Sequence, residues 1–106
     1  MTKYLANSFS LGMLTGNCIL GVTEVGTEEI KKNISDIVSI IGHQGTADFL
    51  SQLLNHEIKM NRVQISIKSG DVVYVLQLLT RLEEGKVLGI EELRNIKYKI
   101  YKVEVI

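Results

Sequence analysis

Residues 72–79 have the sequence VVYVLQLL, which is apolar at every position except Gln77. A short apolar run of this kind, rich in β-branched residues, is typical of a strand in the middle of a sheet. Apolar and polar residues alternate over the preceding stretch 62–68, RVQISIK, and the turn residues SGD separate the two stretches. The pattern predicts a β-hairpin over 62–79 whose second strand is central.

Strand and helix patterns are interspersed along the rest of the chain. Short apolar, β-branched or alternating stretches predict strands at 3–7, 18–25, 36–41 and 97–106. Helical patterns predict helices at 27–34, 47–55 and 89–96. This order favours a mixed sheet covered by two or three helices. Because the chain has no proline, repeat or linker-like stretch, residues 1–106 are predicted to form one small α/β domain.

Composition narrows the function classes. Twelve basic residues balance twelve acidic ones, so the chain lacks the positive charge expected of a protein that binds long DNA or RNA. Cys18 is the only cysteine, which excludes an intrachain disulfide and a cysteine-based metal cluster. No apolar run approaches the ~18 residues of a membrane helix. The sequence therefore predicts a cytosolic protein that does not bind membranes.

One of the two histidines lies in an unusual place. Within IIGHQGTADF, residues 40–49, His43 follows a predicted strand and precedes a predicted helix for which Thr46 is the expected N-cap. Such a strand-to-helix junction is where open α/β sheets bind ligands. The first free N–H groups of the helix, expected near Ala47 and Asp48, favour an anion such as phosphate. The alternative is a surface histidine in a glycine-flanked turn.

A second group of polar residues follows the central apolar run. The stretch TRLEEGKVL, residues 80–88, contains Arg81 and Glu84. Arginine offers a planar set of donors for phosphate oxygens, and the glutamate could orient the arginine or a histidine. The alternative is a charged loop with an ordinary ion pair. Gln77 is an amide inside an apolar run, so it either faces a polar pocket or is hydrogen-bonded locally.

Common catalytic motifs are absent from the sequence. GNCILG lacks the lysine of a nucleotide-binding P-loop, and neither histidine has a companion at metal-ligand spacing. His56, next to Glu57, fits an ordinary loop pair. Spacing and residue chemistry alone therefore predict a site for a phosphate-bearing ligand, without specifying its reaction, and no metal or cofactor.

The stretches YLANSFSLGML, IIGHQGTADFLSQLL, KMNRVQISIKSGD and LQLLTRLEEGKVL resemble a family of small proteins of viruses and mobile elements. These are the ring nucleases that act as anti-CRISPR proteins against type III immunity. The similarity covers residues 4 to about 93 in the same order. Its most distinctive parts are NRV followed downstream by RLEEGK, and the histidine that follows IG and precedes a helix.

The resemblance implies a substrate, a reaction and a partner. Family members cleave cyclic tetra-adenylate without a metal or cofactor, and act in the host cytosol as homodimers that hold the ring across the interface. The ribose 2′-hydroxyl attacks the adjacent phosphodiester and leaves linear di-adenylate with a 2′,3′-cyclic phosphate. The catalytic positions of the family correspond to His43, Arg81 and Glu84. Its substrate-binding positions correspond to Asn7, Ser10, Arg62 and Gln77.

Two other functions remain open at the level of sequence. A binding module could sense or sequester the cyclic oligonucleotide in the same pocket without cutting it, and only an activity measurement separates it from the enzyme. An interaction protein could instead dimerise through its final alternating strand. Loss of function would then follow from disrupting Ile100 or Val103, whereas changes at His43 or Arg81 would have no effect.

Overall fold

Five strands form a single mixed sheet in the computed structural model, which describes residues 1–79 and 89–106. The strands are β1 (Lys3–Ala6), β2 (Leu20–Val25), β3 (Ile37–Ser39), β4 (Val72–Leu78) and β5 (Tyr98–Val105). The helices of this part of the chain are α1 (Thr27–Lys32), α2 (Gln44–Leu54) and α3 (Ile90–Asn95), and a 3₁₀ turn spans Leu11–Met13. The predicted α/β class is confirmed.

The strand order is β2-β5-β4-β1-β3, so the apolar run at 72–79 does supply the central strand. β1 is parallel to both β3 and β4, whereas β5 is antiparallel to β4 and to β2. The carboxyl ends of the three parallel strands therefore lie together at one end of the sheet. The segments that follow β1 and β3 carry Asn7 and His43, which places both residues at that end.

The predicted hairpin over 62–79 is wrong. Both edges of β4 are already paired, one with β1 and the other with β5, so no edge remains for the alternating segment before it. That segment forms only one bridge, between Ile67 and Leu14. The turn itself is present: Gly70 has a φ of 92°, and the buried Asp71 carboxylate accepts hydrogen bonds from the backbone N–H groups of Thr2 and Lys68.

Two apolar clusters lie on opposite faces of the sheet. The three helices pack on one face, where the fully buried side chains include Leu5, Phe49, Leu50, Tyr74, Leu76 and Ile100. The other face is covered by the irregular segments around the 3₁₀ turn and Ile67; its buried members are Ala6, Ile40, Ile67, Val73, Val103 and Val105. Successive side chains of β4 and β5 point to opposite faces of the sheet, and both faces are covered. This explains why both strands have apolar residues on both sides.

The final strand has no free edge. β5 pairs with β2 on one side and β4 on the other. Ile100 and Val103, through which the interaction protein would dimerise, are buried in the two clusters. A large-to-small change at either residue removes packing inside this chain. Such a variant therefore tests folding rather than dimerisation.

A polar group inside the helix-covered face fixes α1 to the sheet. The Tyr74 hydroxyl donates to the Glu29 carboxylate (2.8 Å), and the Lys102 ammonium lies 3.7 Å from the same carboxylate oxygen. The Asn33 amide donates to the Glu29 carbonyl at 2.8 Å. The hydrogen bond from Tyr74 holds the pKa of Glu29 below its usual value against the opposing effect of burial. Burial, together with Glu29, raises the pKa of Tyr74.

We expect Tyr74→Phe to raise the pKa of Glu29 toward 4.5, its unperturbed value, because the largest lowering effect is removed. A carboxylate whose pKa is lowered by folding stabilises the fold above its unfolded pKa and loses that contribution as the pH falls. Carboxyl NMR titration of Glu29 measures the change. Tyr101→Phe is the matched control, and an unchanged Glu29 pKa in Tyr74→Phe would contradict the assignment.

Candidate functional site

The amino end of α2 presents His43 beside free backbone donors. His43 is the N-cap residue, with φ −129° and ψ 128°, and its carbonyl accepts from the Ala47 N–H at 3.0 Å. Thr46, the predicted N-cap, is instead a buried residue of the first turn, 7% exposed. The helix thus begins at Gln44, and the N–H groups without an intrahelical acceptor lie next to His43 rather than near Ala47 and Asp48.

The imidazole of His43 is exposed and makes no capping bond to the helix. The segment that carries it is nevertheless held in place from one side, because the Asn7 Oδ1 accepts from the Gly42 N–H at 2.9 Å. Asn7 was predicted to contact substrate; in this structure its carbonyl oxygen is occupied by the backbone. The side chain of Asn7 therefore fixes the backbone next to His43.

The Arg62 side chain packs against the backbone next to His43. A Cβ built on Gly42 would lie 3.7 Å from the Arg62 Nε and 3.9 Å from its Cγ, so the arginine side chain crosses directly over this glycine. Within the described ranges, Arg62 forms no ion pair with a carboxylate. An unpaired guanidinium beside the free N–H groups of a helix is suited to bind a phosphate group.

Asn7, His43 and Arg62 line one cavity of about 310 Å³, the His43 cavity, at the carboxyl ends of β1 and β3. Its lining residues are Asn7, Ser8, Met13, Ile40, Gly42, His43, Arg62 and Val63. A neighbouring cavity of about 530 Å³, the Ser10 cavity, shares Met13 and Val63 with it; the others are Ser10, Gly12, Gln64, Ile65 and Ser66. The two cavities form a continuous surface of mixed polar and apolar character.

Four of the predicted site residues are placed by this arrangement. Asn7, His43 and Arg62 line the His43 cavity, and Ser10 lines its neighbour, where its hydroxyl accepts from the Gly12 N–H at 3.0 Å. Gln77 lines neither of these two cavities; its side chain is exposed on β4, so solvent can satisfy the amide.

Arg81 and Glu84 lie outside the described residues. His56 is an exposed loop residue, as predicted, with its Nδ1 3.1 Å from the Glu57 carbonyl oxygen. Among the described residues, no group of three or more histidine, cysteine, aspartate or glutamate side chains could hold a metal ion.

The comparisons with known proteins assign a family. The family model described as STIV B116-like matches residues 3–100. The chain belongs to the STIV B116-like family. Uncharacterized protein 26 of Sulfolobus islandicus filamentous virus is 38% identical over 107 residues, which cover 97% of this chain and 91% of that protein. Uncharacterized protein ORF116 of Acidianus filamentous virus 1 is 31% identical, covering 99% and 97% of the two chains.

The fold of this STIV B116-like protein is also that of a solved structure. B116 of Sulfolobus turreted icosahedral virus superposes with a TM-score of 0.87 at 25% identity, over 98% of this chain and 99% of the other. The family relatives with these similarities are proteins of viruses, which agrees with the viral side of the predicted resemblance. In the described part of the chain, no helix is long and apolar enough to cross a membrane.

Proposed function

We propose that this STIV B116-like protein is a metal-independent ring nuclease that cleaves cyclic tetra-adenylate and thereby switches off type III CRISPR signalling. The observation that carries the proposal is that one cavity is lined both by His43, the exposed N-cap residue of α2, and by Arg62, which forms no ion pair within the described ranges. An anion-binding surface with a proton donor at its centre suits cleavage of a phosphodiester.

The proposed reaction uses a nucleophile that the substrate itself supplies. A ribose 2′-oxygen forms a bond to the adjacent phosphorus as the P–O5′ bond breaks, which leaves a 2′,3′-cyclic phosphate. His43, when protonated, donates its proton to the departing 5′-oxygen. The proton of the 2′-hydroxyl passes to solvent. Arg62 and the first N–H groups of α2 bind phosphate oxygens, and orientation of the attacking hydroxyl supplies further acceleration.

The roles of four residues and the homodimer in the proposal rest on the resemblance alone. Arg81 would stabilise the charge that develops on the phosphorane, and Glu84 would orient a catalytic group rather than face the phosphate. Ser10 and Gln77 would contact the ring beyond the scissile bond. A symmetric homodimer with the ring across its interface would let each of these residues act twice, which explains how a chain with no net charge could hold four phosphates.

Product analysis tests the proposal. Purified protein is incubated with cyclic tetra-adenylate in EDTA, and the products are identified by mass. If the protein is the proposed enzyme, we expect linear di-adenylate that ends in a cyclic phosphate. If the ring is recovered intact while it co-elutes with the protein, the chain is a binding module. If the ring neither binds nor changes, both functions are excluded for this ligand.

Removing the Arg62 guanidinium is expected to weaken ring binding. Arg62→Ala should raise the dissociation constant for cyclic tetra-adenylate about 10- to 100-fold, the range for losing a hydrogen-bonded ion. Arg62→Lys should restore part of the affinity, because a lysine keeps the charge but not the planar pair of donors. Calorimetry in the His43→Ala background measures binding without cleavage. Equal affinity in Arg62→Ala and its parent would remove Arg62 from the site.

A further inference from the structure

The outer edge of β3 is covered by a segment with no secondary structure of its own. Residues 55–66, between α2 and the Ile67 bridge, form neither helix nor strand. On the inner side of β3, the Ile40 N–H donates to the Leu5 carbonyl of β1. Because backbone groups alternate in direction along a strand, those of Ser39 and Ile41 face outward. An open edge of this kind leaves polar groups unpaired unless another segment reaches them.

Asn61 satisfies this edge with both its backbone and its side chain. Its N–H donates to the Ile41 carbonyl, and its Nδ2 donates to the Ser39 carbonyl, each at 2.8 Å. The Ser39 hydroxyl adds a third link by donating to the Lys59 carbonyl at 2.6 Å. Asn61 thus replaces a sixth strand at two successive outward-facing carbonyl groups, and it does so immediately before Arg62.

The position of Arg62 follows from these bonds. Ile41 precedes Gly42 and His43 on one segment, and Asn61 precedes Arg62 on the other. The hydrogen bond between Asn61 and Ile41 therefore brings the residues that follow them, Arg62 and Gly42, side by side. The Arg62 Nε lies 3.7 Å from the Gly42 Cβ position. The Asn7 Oδ1, which accepts from the N–H of the same glycine, also lies 3.7 Å from that Cβ position. No other side chain of the described segment 55–66 bonds to an outward-facing carbonyl of β3.

We infer that Asn61 is a positioning residue that holds the Arg62 guanidinium beside His43 by hydrogen-bonding to the free edge of β3. The inference rests on the proposed function, because a bound phosphate is what gives the position of Arg62 its consequence. Asparagine is suited to this role: its amide reaches a carbonyl two residues from the one that its own backbone N–H binds. Asn61→Ala keeps the backbone bond and removes only the amide.

Binding and cleavage should respond differently to Asn61→Ala. We expect the dissociation constant for cyclic tetra-adenylate to rise about five- to tenfold, the effect of one lost hydrogen bond at an exposed site. The single-turnover rate at saturating ring should stay within about twofold, because His43 is held by Asn7 and by α2. Asn95→Ala, an exposed asparagine at the end of α3, is the matched control and should change neither quantity.

A double-mutant cycle separates positioning from general destabilisation. In the Arg62→Ala background, Asn61→Ala should have no further effect on ring affinity, because the group that it positions is gone. An equal loss in both backgrounds would overturn the inference, since it would mean that Asn61 acts without Arg62. Unchanged affinity in the single variant would overturn it as well.

Amide hydrogen exchange tests the positioning without any ring. The amide of residue 61 should lose protection in Asn61→Ala, whereas the Gly42 amide, bonded to Asn7, should keep it. Should the wild-type protein neither bind nor cleave the ring, the proposed function fails, and the exchange result alone decides whether Asn61 fixes the segment. Equal protection of residue 61 in the two proteins would then overturn the structural part of the inference.

Discussion

His43→Ala is expected to lower the single-turnover rate of cyclic tetra-adenylate cleavage about 10²- to 10⁴-fold, the usual contribution of a general acid. The ring should still bind, because Arg62 remains in the cavity and α2 still begins next to position 43. The physical reason is the leaving group. An alkoxide at the 5′-oxygen is a poor leaving group near neutral pH, and the exposed imidazole is the only side chain in the described cavity that readily donates a proton there.

The chain provides a matched control for this experiment. His56 is the only other histidine, it is exposed, and it lies in the loop after α2 rather than before it. His56→Ala should therefore cleave at the wild-type rate. If His43→Ala and His56→Ala both cleaved at that rate, the acid would be another group. If the His43 variant failed to bind the ring, its loss of activity would not identify a proton donor.

Phe49→Ala is expected to destabilise the fold by about 3–5 kcal/mol, the range for truncating a buried phenylalanine. Phe49 is 1% exposed in the helix-covered core, and its ring meets Tyr98 of β5 edge to face at a centroid distance of 5.7 Å. The substitution therefore removes a contact between α2 and the sheet as well as buried volume. Because α2 positions His43, partial loosening of this helix should also lower ring affinity.

Urea unfolding measures the loss in Phe49→Ala. Phe9 is the other phenylalanine of the chain and is only partly buried, on the opposite face of the sheet. Phe9→Ala should cost less, because a half-exposed ring removes less apolar surface from water. A loss below about 1 kcal/mol for Phe49→Ala, or a larger loss for Phe9→Ala, would contradict the placement of α2 on the core.

The strands that sequence patterns predicted best are those with strong local signals. The apolar run 72–79 and the alternating segment 97–106 became β4 and β5, with bounds close to those expected. The hairpin failed because alternation indicates a strand but not its partner. Local residues around Gly70 specify a turn, whereas the parallel partner β1 lies some seventy positions away in sequence, beyond what a local pattern encodes.

The position of His43 was predictable from the sequence, whereas the geometry around it was less so. The sequence singled out His43 at a strand-to-helix junction, which the structure confirms. The sequence pattern predicted Thr46 as the N-cap because threonine is favoured at that position. In the structure, that side chain is instead buried in the first turn of the helix. Asn61 stood out only as the first residue of NRV in the family resemblance, and no local pattern assigned it a role. Its importance arises from an open sheet edge that becomes visible only when β3 and residues 59–62 are seen together.

A crystal structure of His43→Ala with cyclic tetra-adenylate tests the central claim most directly, because that variant is expected to bind the ring without cutting it. The account predicts a phosphate of the ring within hydrogen-bond distance of the Arg62 guanidinium and of the first N–H groups of α2, with position 43 facing a 5′-oxygen. A ring bound elsewhere on the protein, or a phosphate distant from both groups, would contradict it.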